Sequence, residues 1–268
     1  MVTAKDVKEL REKTGVGMMD CKRVLEETGG DMEAAIKSLR EKGLSKAAKK
    51  SDRSTQEGRI FTKTDASGGV IMELNCETDF VANNTLFHDL GVAIVAAIAA
   101  NHPVDVAAVL ALPCKGSLVS ECISDAILQL GENITVGAFK RVQGAYVSEY
   151  THSNGKIGVL VEFSAAIDAS IGRDIAMQVA AMNPSYVSPD QVPTQEIERE
   201  SDILRKQAIA EGKPPAVVDK IIQGRLLKFY AENCLLEQAF VKDPHMTVKG
   251  LLPKGVTIGT VTRLSLAG

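Results

Sequence analysis

The sequence contains no tryptophan, and aromatic residues make up only 4% of its 268 residues. A protein that stacks many nucleic-acid bases on aromatic rings is therefore not expected. The net charge of −3 likewise gives no sign of a nucleic-acid-binding protein. The five cysteines are scattered along the chain and form no CxxC pair, so they indicate neither a zinc site nor a disulfide framework.

The common catalytic signatures are also missing. The chain has no GxxxxGKS/T loop, no GxGxxG after a strand, no HExxH and no GxSxG. The four histidines lie far apart and lack the spacing of metal ligands. We therefore predict no enzymatic active site, no metal site and no cofactor.

Long apolar runs are missing as well. The run at residues 90–100 is too short and too rich in alanine to span a bilayer. Acidic residues interrupt the N-terminus from Asp6 onward, so a signal peptide is not indicated. We expect a cytoplasmic protein without membrane contact, and its length suggests two or three folding units.

Residues 1–53 predict a small helical domain followed by a basic linker. Glycines at residues 15, 17, 29 and 30 separate three short stretches with helical apolar spacing. The lysine-rich segment 42–53 is interpreted as a solvated, partly helical connector. A contact with RNA phosphates or with an acidic protein face is the alternative for this segment.

The remaining residues predict a duplicated α+β unit. In each copy a β-hairpin precedes an alanine-rich helix that ends before a proline. The predicted hairpin strands cover residues 57–64 with 70–76, and 145–152 with 156–163. We therefore expect a core of two related α+β subdomains, at 54–143 and 144–268.

Helical patterns lie between and after the two copies. Residues 117–130 predict an amphipathic helix, which is followed by a strand from Ile134. Its predicted apolar stripe consists of Leu118, Cys122, Ala126 and Leu130. Two longer patterns within residues 194–229 predict an antiparallel helical hairpin, either a solvated arm or a coiled-coil contact with another subunit.

Residues 73–83 lead from a predicted strand to a predicted helix that begins after Asn84. Phe80 lies at this corner beside an acid, Asp79. One interpretation is that Phe80 fills the local core while Asp79 helps to cap the helix. The other is an exposed acid–aromatic tip that enters another molecule. The second copy has no aromatic after its corresponding acid, Asp168, which favours the exposed tip.

Two segments resemble the elongation factor Ts family, the guanine-nucleotide exchange factors for the GTPase elongation factor Tu. They are LREKTGVGMMDCKRVL at residues 10–25 and ELNCETDFVAN at residues 73–83. Shorter similarities lie at residues 130–134, 150–152, 211–214 and 224–225, so the resemblance extends along the chain. It implies a ubiquitin-associated-like N-terminal domain, a two-part core and a helical-hairpin dimerisation module.

The resemblance also implies which residues contact elongation factor Tu. The segment Thr78, Asp79, Phe80 and Val81 is expected to intrude beside the nucleotide site of the GTPase and to disturb magnesium coordination there. Further contacts are expected at Arg11, Met18, Met19, Gly131 and His152. Some family members add a contact through a C-terminal helix beyond the last strand, which is not expected here.

These similarities imply a binding protein that promotes GDP release and does not bind nucleotide itself. A homodimer formed through the helical hairpin is one expectation, and a solvated arm is the other. An RNA- or ribosome-associated module that uses the basic linker remains the alternative function.

Overall fold

A computed structural model describes residues 2–266 as an α+β protein, with helices at the N-terminus and two antiparallel three-stranded sheets. The helices are α1 Ala4–Thr14, α2 Met18–Glu27, α3 Met32–Lys50, α4 Asp79–Ala82, α5 Thr85–Asn101, α6 Val106–Leu110, α7 Val119–Leu130, α8 Ala169–Met182, α9 Thr194–Ala210, α10 Pro215–Asn233 and α11 Val248–Leu251. The strands are β1 Glu57–Asp65, β2 Gly68–Cys76, β3 Pro113–Cys114, β4 Ser117–Leu118, β5 Ile134–Val142, β6 Tyr146–Thr151, β7 Ile157–Phe163, β8 Ala239–Phe240, β9 Asp243–Thr247 and β10 Ile258–Ser265.

The N-terminal helices enclose a small apolar cluster that also includes Leu128 from α7. Thr3 caps α1 and Asp31 caps α3, each through a side-chain oxygen that accepts a backbone N–H. The predicted linker at 42–53 is partly helical, as expected, because α3 continues as one helix to Lys50. It differs from a solvated connector in that α3 packs against α7. Gly43 lies in that helix against α7, where an added Cβ would stand 3.4 Å from the Ser124 carbonyl oxygen.

The two larger sheets have the same strand order. In the first, β2 lies between β1 and β5, and in the second, β7 lies between β6 and β10. The predicted hairpins are confirmed, with Glu57 opposite Cys76 and Tyr146 opposite Phe163. Each sheet is therefore a hairpin completed by a later strand that pairs with the second strand of the hairpin.

The two sheets also share a buried cluster that joins them. Ile60 and Ile71 of the first sheet pack with Leu160 of the second. Gly158 permits this close approach, because an added Cβ would lie 2.3 Å from Cγ2 of Ile60. Strand β2 is consequently buried on both faces, since Met72 points into the other cluster, against α5 and α7.

Helices cover the remaining face of each sheet. Phe87, Ile94 and Ile98 of α5 pack with the first sheet, and Ile175 and Val179 of α8 pack with the second. The order of layers is thus helix, sheet, sheet, helix. None of the helices in residues 2–266 is both long and apolar enough to cross a membrane.

The predicted apolar stripe of the helix at 117–130 is wrong at Leu118, which is exposed and precedes α7. Ala126 is buried in the first core cluster, and Cys122 and Leu130 pack against that cluster while remaining partly exposed. The stripe lacks Val119, Ile123 and Ile127, which are more deeply buried. The short strands β3 and β4 and the helix α6 were not predicted. The strand β4 takes residues 117–118 out of the helix, so α7 begins at Val119.

Helices α9 and α10 pack against each other at the predicted hairpin. Leu204 and Ala208 contact Val218 and Ile222 in a small cluster of their own. Ion pairs join Arg205 to Asp219 at 3.1 Å and Arg225 to Glu211 at 2.8 Å. Because both pairs are largely exposed, apolar contact is the main source of stability in this unit.

Candidate functional site

Phe80 projects from α4, a single helical turn between β2 and α5. Its side chain is 84% exposed, whereas Val81 and Ala82 beside it are 8% and 4% exposed. The interpretation that Phe80 fills the local core is therefore wrong. Val81 and Ala82 belong to the first core cluster, so the turn is anchored on one side while the aromatic ring stands in solvent.

Hydrogen bonds hold both ends of α4. Thr78 is the N-cap, and its Oγ1 accepts from the Val81 N–H at 3.4 Å. At the other end, Asn83 donates its backbone N–H and its side-chain Nδ2 to the Asp79 carbonyl oxygen. Asn84 caps α5, as predicted. Asp79 therefore caps neither helix, and within residues 2–266 its carboxylate has no hydrogen-bond or ion-pair partner.

Two carboxylates fix the chain just before α4. Glu132 Oε2 accepts from the backbone N–H groups of Glu77 at 3.2 Å and Thr78 at 3.0 Å, and its Oε1 accepts from Thr78 Oγ1 at 2.6 Å. In return, Glu77 Oε1 accepts from the Asn133 N–H at 2.7 Å. We call Glu77, Thr78, Glu132 and Asn133 the carboxylate brace.

A buried thiol lies directly beneath the brace. Cys76 Sγ donates to the Thr78 carbonyl oxygen at 3.2 Å. Burial, together with the negative charge of Glu132, raises the pKa of the Cys76 thiol to about 12. The thiol therefore stays neutral near neutral pH and remains a hydrogen-bond donor at the base of the tip.

Gly131 lies beside the brace, where the end of α3 meets the end of α7. Lys50 Nζ donates to the Gly131 carbonyl oxygen, and Arg53 pairs with Glu77 at 3.5 Å. Burial and the nearby Arg53 charge lower the pKa of Lys50. Gly131 ends α7 with a φ of 82°, a left-handed conformation that favours glycine.

His152 lies in the exposed turn between β6 and β7. Its Nδ1 stands 3.2 Å from the Tyr150 hydroxyl. The same turn contains Gly155, where an added Cβ would lie 2.5 Å from Nε of Arg59. Arg59 Nη1 donates in turn to Asn83 Oδ1 at 2.9 Å. The turn that contains His152 is thus connected to the end of α4 through Arg59.

Arg11, Met18 and Met19 are all exposed on the N-terminal helices. Met18 is 47% exposed and Met19 76%. The three residues lie in α1 and α2, which pack with each other and with α3. The N-terminal helices contact α7. Gly15, which follows α1, lies so close to Gln129 of α7 that an added Cβ would stand 2.4 Å from the Gln129 side-chain oxygen.

The sequence did not predict the hydrogen bond from the Glu77 backbone N–H to the Glu132 carboxylate. It also did not predict that Arg59 binds Asn83 at the end of α4. Both glutamates lie in segments that resemble the family, but their contact was not predicted. The register of β2 and β5 would have indicated it, because Cys76 lies opposite Ile134 in this antiparallel pair. Residues just after Cys76 must then meet residues just before Ile134.

Among residues 2–266, no group of three or more histidine, cysteine, aspartate or glutamate side chains is arranged to hold a metal ion. An aromatic ring exposed on a braced turn is apolar surface that another protein could bury, since aromatic residues are enriched at protein–protein interfaces.

Comparison with protein families identifies the kind of binding protein. The family model described as elongation factor TS matches residues 77–267, more than half of the chain. The chain therefore belongs to the elongation factor Ts family, translation elongation factors that generally promote nucleotide exchange on elongation factor Tu. The match includes α4, Gly131 and His152, and it begins after Arg11, Met18 and Met19.

Proposed function

We propose that this protein binds elongation factor Tu in its GDP-bound state and promotes GDP release by inserting the tip Thr78–Val81 beside the nucleotide. The exposure of Phe80 on a braced turn is the observation that carries this proposal. The site lies within the matched part of the chain. The protein itself is proposed to bind no nucleotide and no cofactor, and to act in the cytoplasm.

Phe80 supplies apolar surface that is free to be buried in the partner. Burying one phenylalanine side chain is worth roughly 1.5–3 kcal/mol. Each tenfold increase in the rate of GDP release requires about 1.4 kcal/mol of barrier reduction. The ring alone therefore accounts for about one or two factors of ten, if its burial is completed in the transition state for release.

Asp79 adds an electrostatic effect beside the ring. Its carboxylate has no partner within residues 2–266, so it is available to the GTPase. Near the phosphates of GDP its negative charge opposes nucleotide binding, and its oxygens are ligands of the type that magnesium prefers. By thermodynamic linkage, nucleotide must weaken the binding of the tip by the same factor.

The other expected contact residues are proposed to supply affinity. Arg11, Met18 and Met19 would contribute from the N-terminal domain and linker at 1–53, with Gly131 from the subdomain at 54–143 and His152 from that at 144–268. The helical module at 194–229 is proposed to mediate dimerisation. Exposed apolar side chains on its helices, Ile203, Ile209 and Leu227, support that role.

The RNA-binding alternative is weakened by the contacts of the basic segment 42–53. Lys42 pairs with Glu27, and Lys46 pairs with Asp20 at 3.2 Å. The remaining contacts of this segment join Lys50 and Arg53 to the brace region, as described above. Four of the five cations in this segment therefore have a partner within the protein, which lowers the support that the segment gives to RNA binding without removing the cations from solvent.

The proposal is tested by release of a fluorescent GDP analogue from elongation factor Tu in the presence of excess unlabelled GDP. We expect the wild-type protein to accelerate release, and Phe80→Ala to slow that accelerated release by about tenfold to a hundredfold. Val104→Ala is the matched control, because Val104 is 90% exposed and lies outside the proposed site.

Acceleration that Phe80→Ala leaves unchanged would keep the exchange function but move its active contacts away from the tip. No acceleration by a folded wild-type protein, with an active GTPase, would contradict the proposed function. Steeply salt-dependent RNA binding by the same protein would then support the alternative.

A further inference from the structure

We propose that Glu132 is a positioning residue, which holds the tip in the conformation that enters the partner. This inference rests on the proposed function of the tip. Glu132 is not part of the tip, and its side chain turns inward from the loop after α7 to the chain just before α4.

Three donors converge on the Glu132 carboxylate, and two of them are backbone N–H groups at a bend in the chain. These groups lie beyond the last paired residue of β2, so strand pairing does not satisfy them. A charged acceptor binds such groups more strongly than a neutral one. Without Glu132, the Glu77 and Thr78 N–H groups would need water or a different backbone path.

Glu132 also sets the orientation of the Thr78 hydroxyl. Thr78 Oγ1 donates to Glu132 Oε1 at 2.6 Å, which leaves the oxygen lone pairs free to accept from the Val81 N–H. The N-cap of α4 is therefore oriented by a carboxylate more than fifty residues away in sequence. This matters because a single helical turn has little stability of its own.

The brace is connected on its other side to the N-terminal helices. Asn133 Nδ2 donates to the Arg53 carbonyl oxygen at 3.0 Å, and Lys50 Nζ donates to the Gly131 carbonyl oxygen. The loop that carries Glu132 is thus held by the end of α3. A tip ordered in this way before binding avoids the entropy cost of being ordered at the partner.

The test compares Glu132→Ala and Glu132→Gln with a matched control, Glu121→Ala. Glu121 is a glutamate at the other end of α7, and it also accepts a backbone N–H, that of Leu118 at 3.1 Å. Amide hydrogen exchange of Glu77 and Thr78 is measured by NMR on the full chain alone. The maximum rate of GDP release and the concentration giving half that rate are measured with elongation factor Tu.

For Glu132→Ala we expect amide exchange at Glu77 and Thr78 to become about tenfold faster or more, because their acceptor is lost. The maximum release rate should fall by about tenfold, while the half-saturating concentration changes by less than about threefold. Glu132→Gln should give intermediate values, since its one oxygen can still accept from the backbone. Glu121→Ala should resemble the wild type.

Unchanged amide protection and an unchanged maximum rate in Glu132→Ala would overturn the inference. If Glu132→Ala does not fold, Glu132→Gln decides: intermediate values support the inference and wild-type values overturn it. If the wild type does not accelerate release, the proposed function fails and the positioning role fails with it. Unchanged kinetics in Glu132→Ala beside an active wild type would instead count against the positioning role alone.

Discussion

The connections that follow β2 and β7 lead into helices with closely similar ends. Asn84 caps α5 and Asp168 caps α8, each by accepting a backbone N–H two residues later. Each helix is followed by a residue with a left-handed backbone conformation and then by a proline. The left-handed residue is His102 after α5 and Asn183 after α8. The same helix ends therefore occur in both halves of the core.

Both helices also approach the first strand of their hairpin through a glycine. An added Cβ on Gly91 would lie 2.1 Å from the Phe61 ring, and one on Gly172 would lie 2.0 Å from the Ser148 hydroxyl. Side chains larger than hydrogen would push each helix away from its sheet. In both halves, therefore, a glycine allows the helix to pack closely against the first strand of the hairpin.

The connections themselves differ. The first contains α4 and the carboxylate brace, and it exposes Phe80. In the second, Ser164 exchanges hydrogen bonds with Thr257, and Ile167 packs against the core. The expected correspondence of Asp79 with Asp168 is also wrong. Asp168 caps a helix, and the residue that caps the corresponding helix in the first half is Asn84. An exposed tip therefore arises from added residues at one connection, without a change in the surrounding fold.

The largest effect is expected from making the first connection resemble the second. Replacing residues 77–83 with residues 164–167 removes the ring, the acid and half of the brace. We expect release of the GDP analogue to fall by about a hundredfold or more, toward the unstimulated rate. The reverse replacement, at the second connection, is the control and should leave release near the wild-type rate. A folded chimera that keeps fast release would contradict the comparison.

A smaller effect is expected from removing one cap in each connection. Asp168→Ala should lower the free energy of unfolding by about 1 kcal/mol and leave GDP release unchanged. Thr78→Val should slow GDP release by about tenfold, because it removes both the cap of α4 and a donor to Glu132. Urea unfolding and GDP release are measured for both variants. Equal slowing by the two variants would remove the distinction between the connections.

The smallest expected effect is a change of stability with pH. It arises at the end of β2, where Cys76 has a titratable thiol, whereas Phe163 at the end of β7 has no titratable group. The pKa of the folded Cys76 thiol is raised to about 12, from about 9 in an unfolded chain. Above pH 9 the unfolded chain loses this proton while the folded protein keeps it, so stability falls as pH rises. We expect this thiol to contribute a loss of about 1 kcal/mol by about pH 10.

Urea unfolding at several pH values measures that loss. Cys76→Ala removes the thiol, so its stability should fall less steeply above pH 9 than that of the wild type. Parallel declines in the two proteins would show that burial of Cys76 does not govern this pH dependence.

The local elements of the core could be predicted from sequence, because their signals are local. The alternation of apolar and polar residues, together with the turn residues, predicted the two hairpins, and Asn84 predicted the start of α5. The start of α7 was missed because Ser117 and Leu118 pair with β3, a contact that apolar spacing does not reveal. The packing of α3 against α7 was missed because it depends on Gly43, which lets the two helices approach each other.

The candidate site was predictable only in part. The structure exposes Phe80, as the comparison with the second copy favoured, but that comparison set Asp79 against Asp168, whose structural counterpart is Asn84. The carboxylate brace depends on the pairing of β2 with β5, which lie far apart in sequence. It also depends on side-chain conformations that follow from that pairing, so residue spacing alone could not indicate it.

The cluster between the two sheets makes the two halves of the core inseparable. Ile71 and Leu160 are fully buried only because the halves face each other, and Gly158 lets them do so without a gap. Neither half could be expressed alone without exposing that surface, and the two should unfold as one cooperative unit. The strand that leads to Phe80 lies at the centre of that unit, so we expect the strand that carries the tip to be among the last parts of the protein to open.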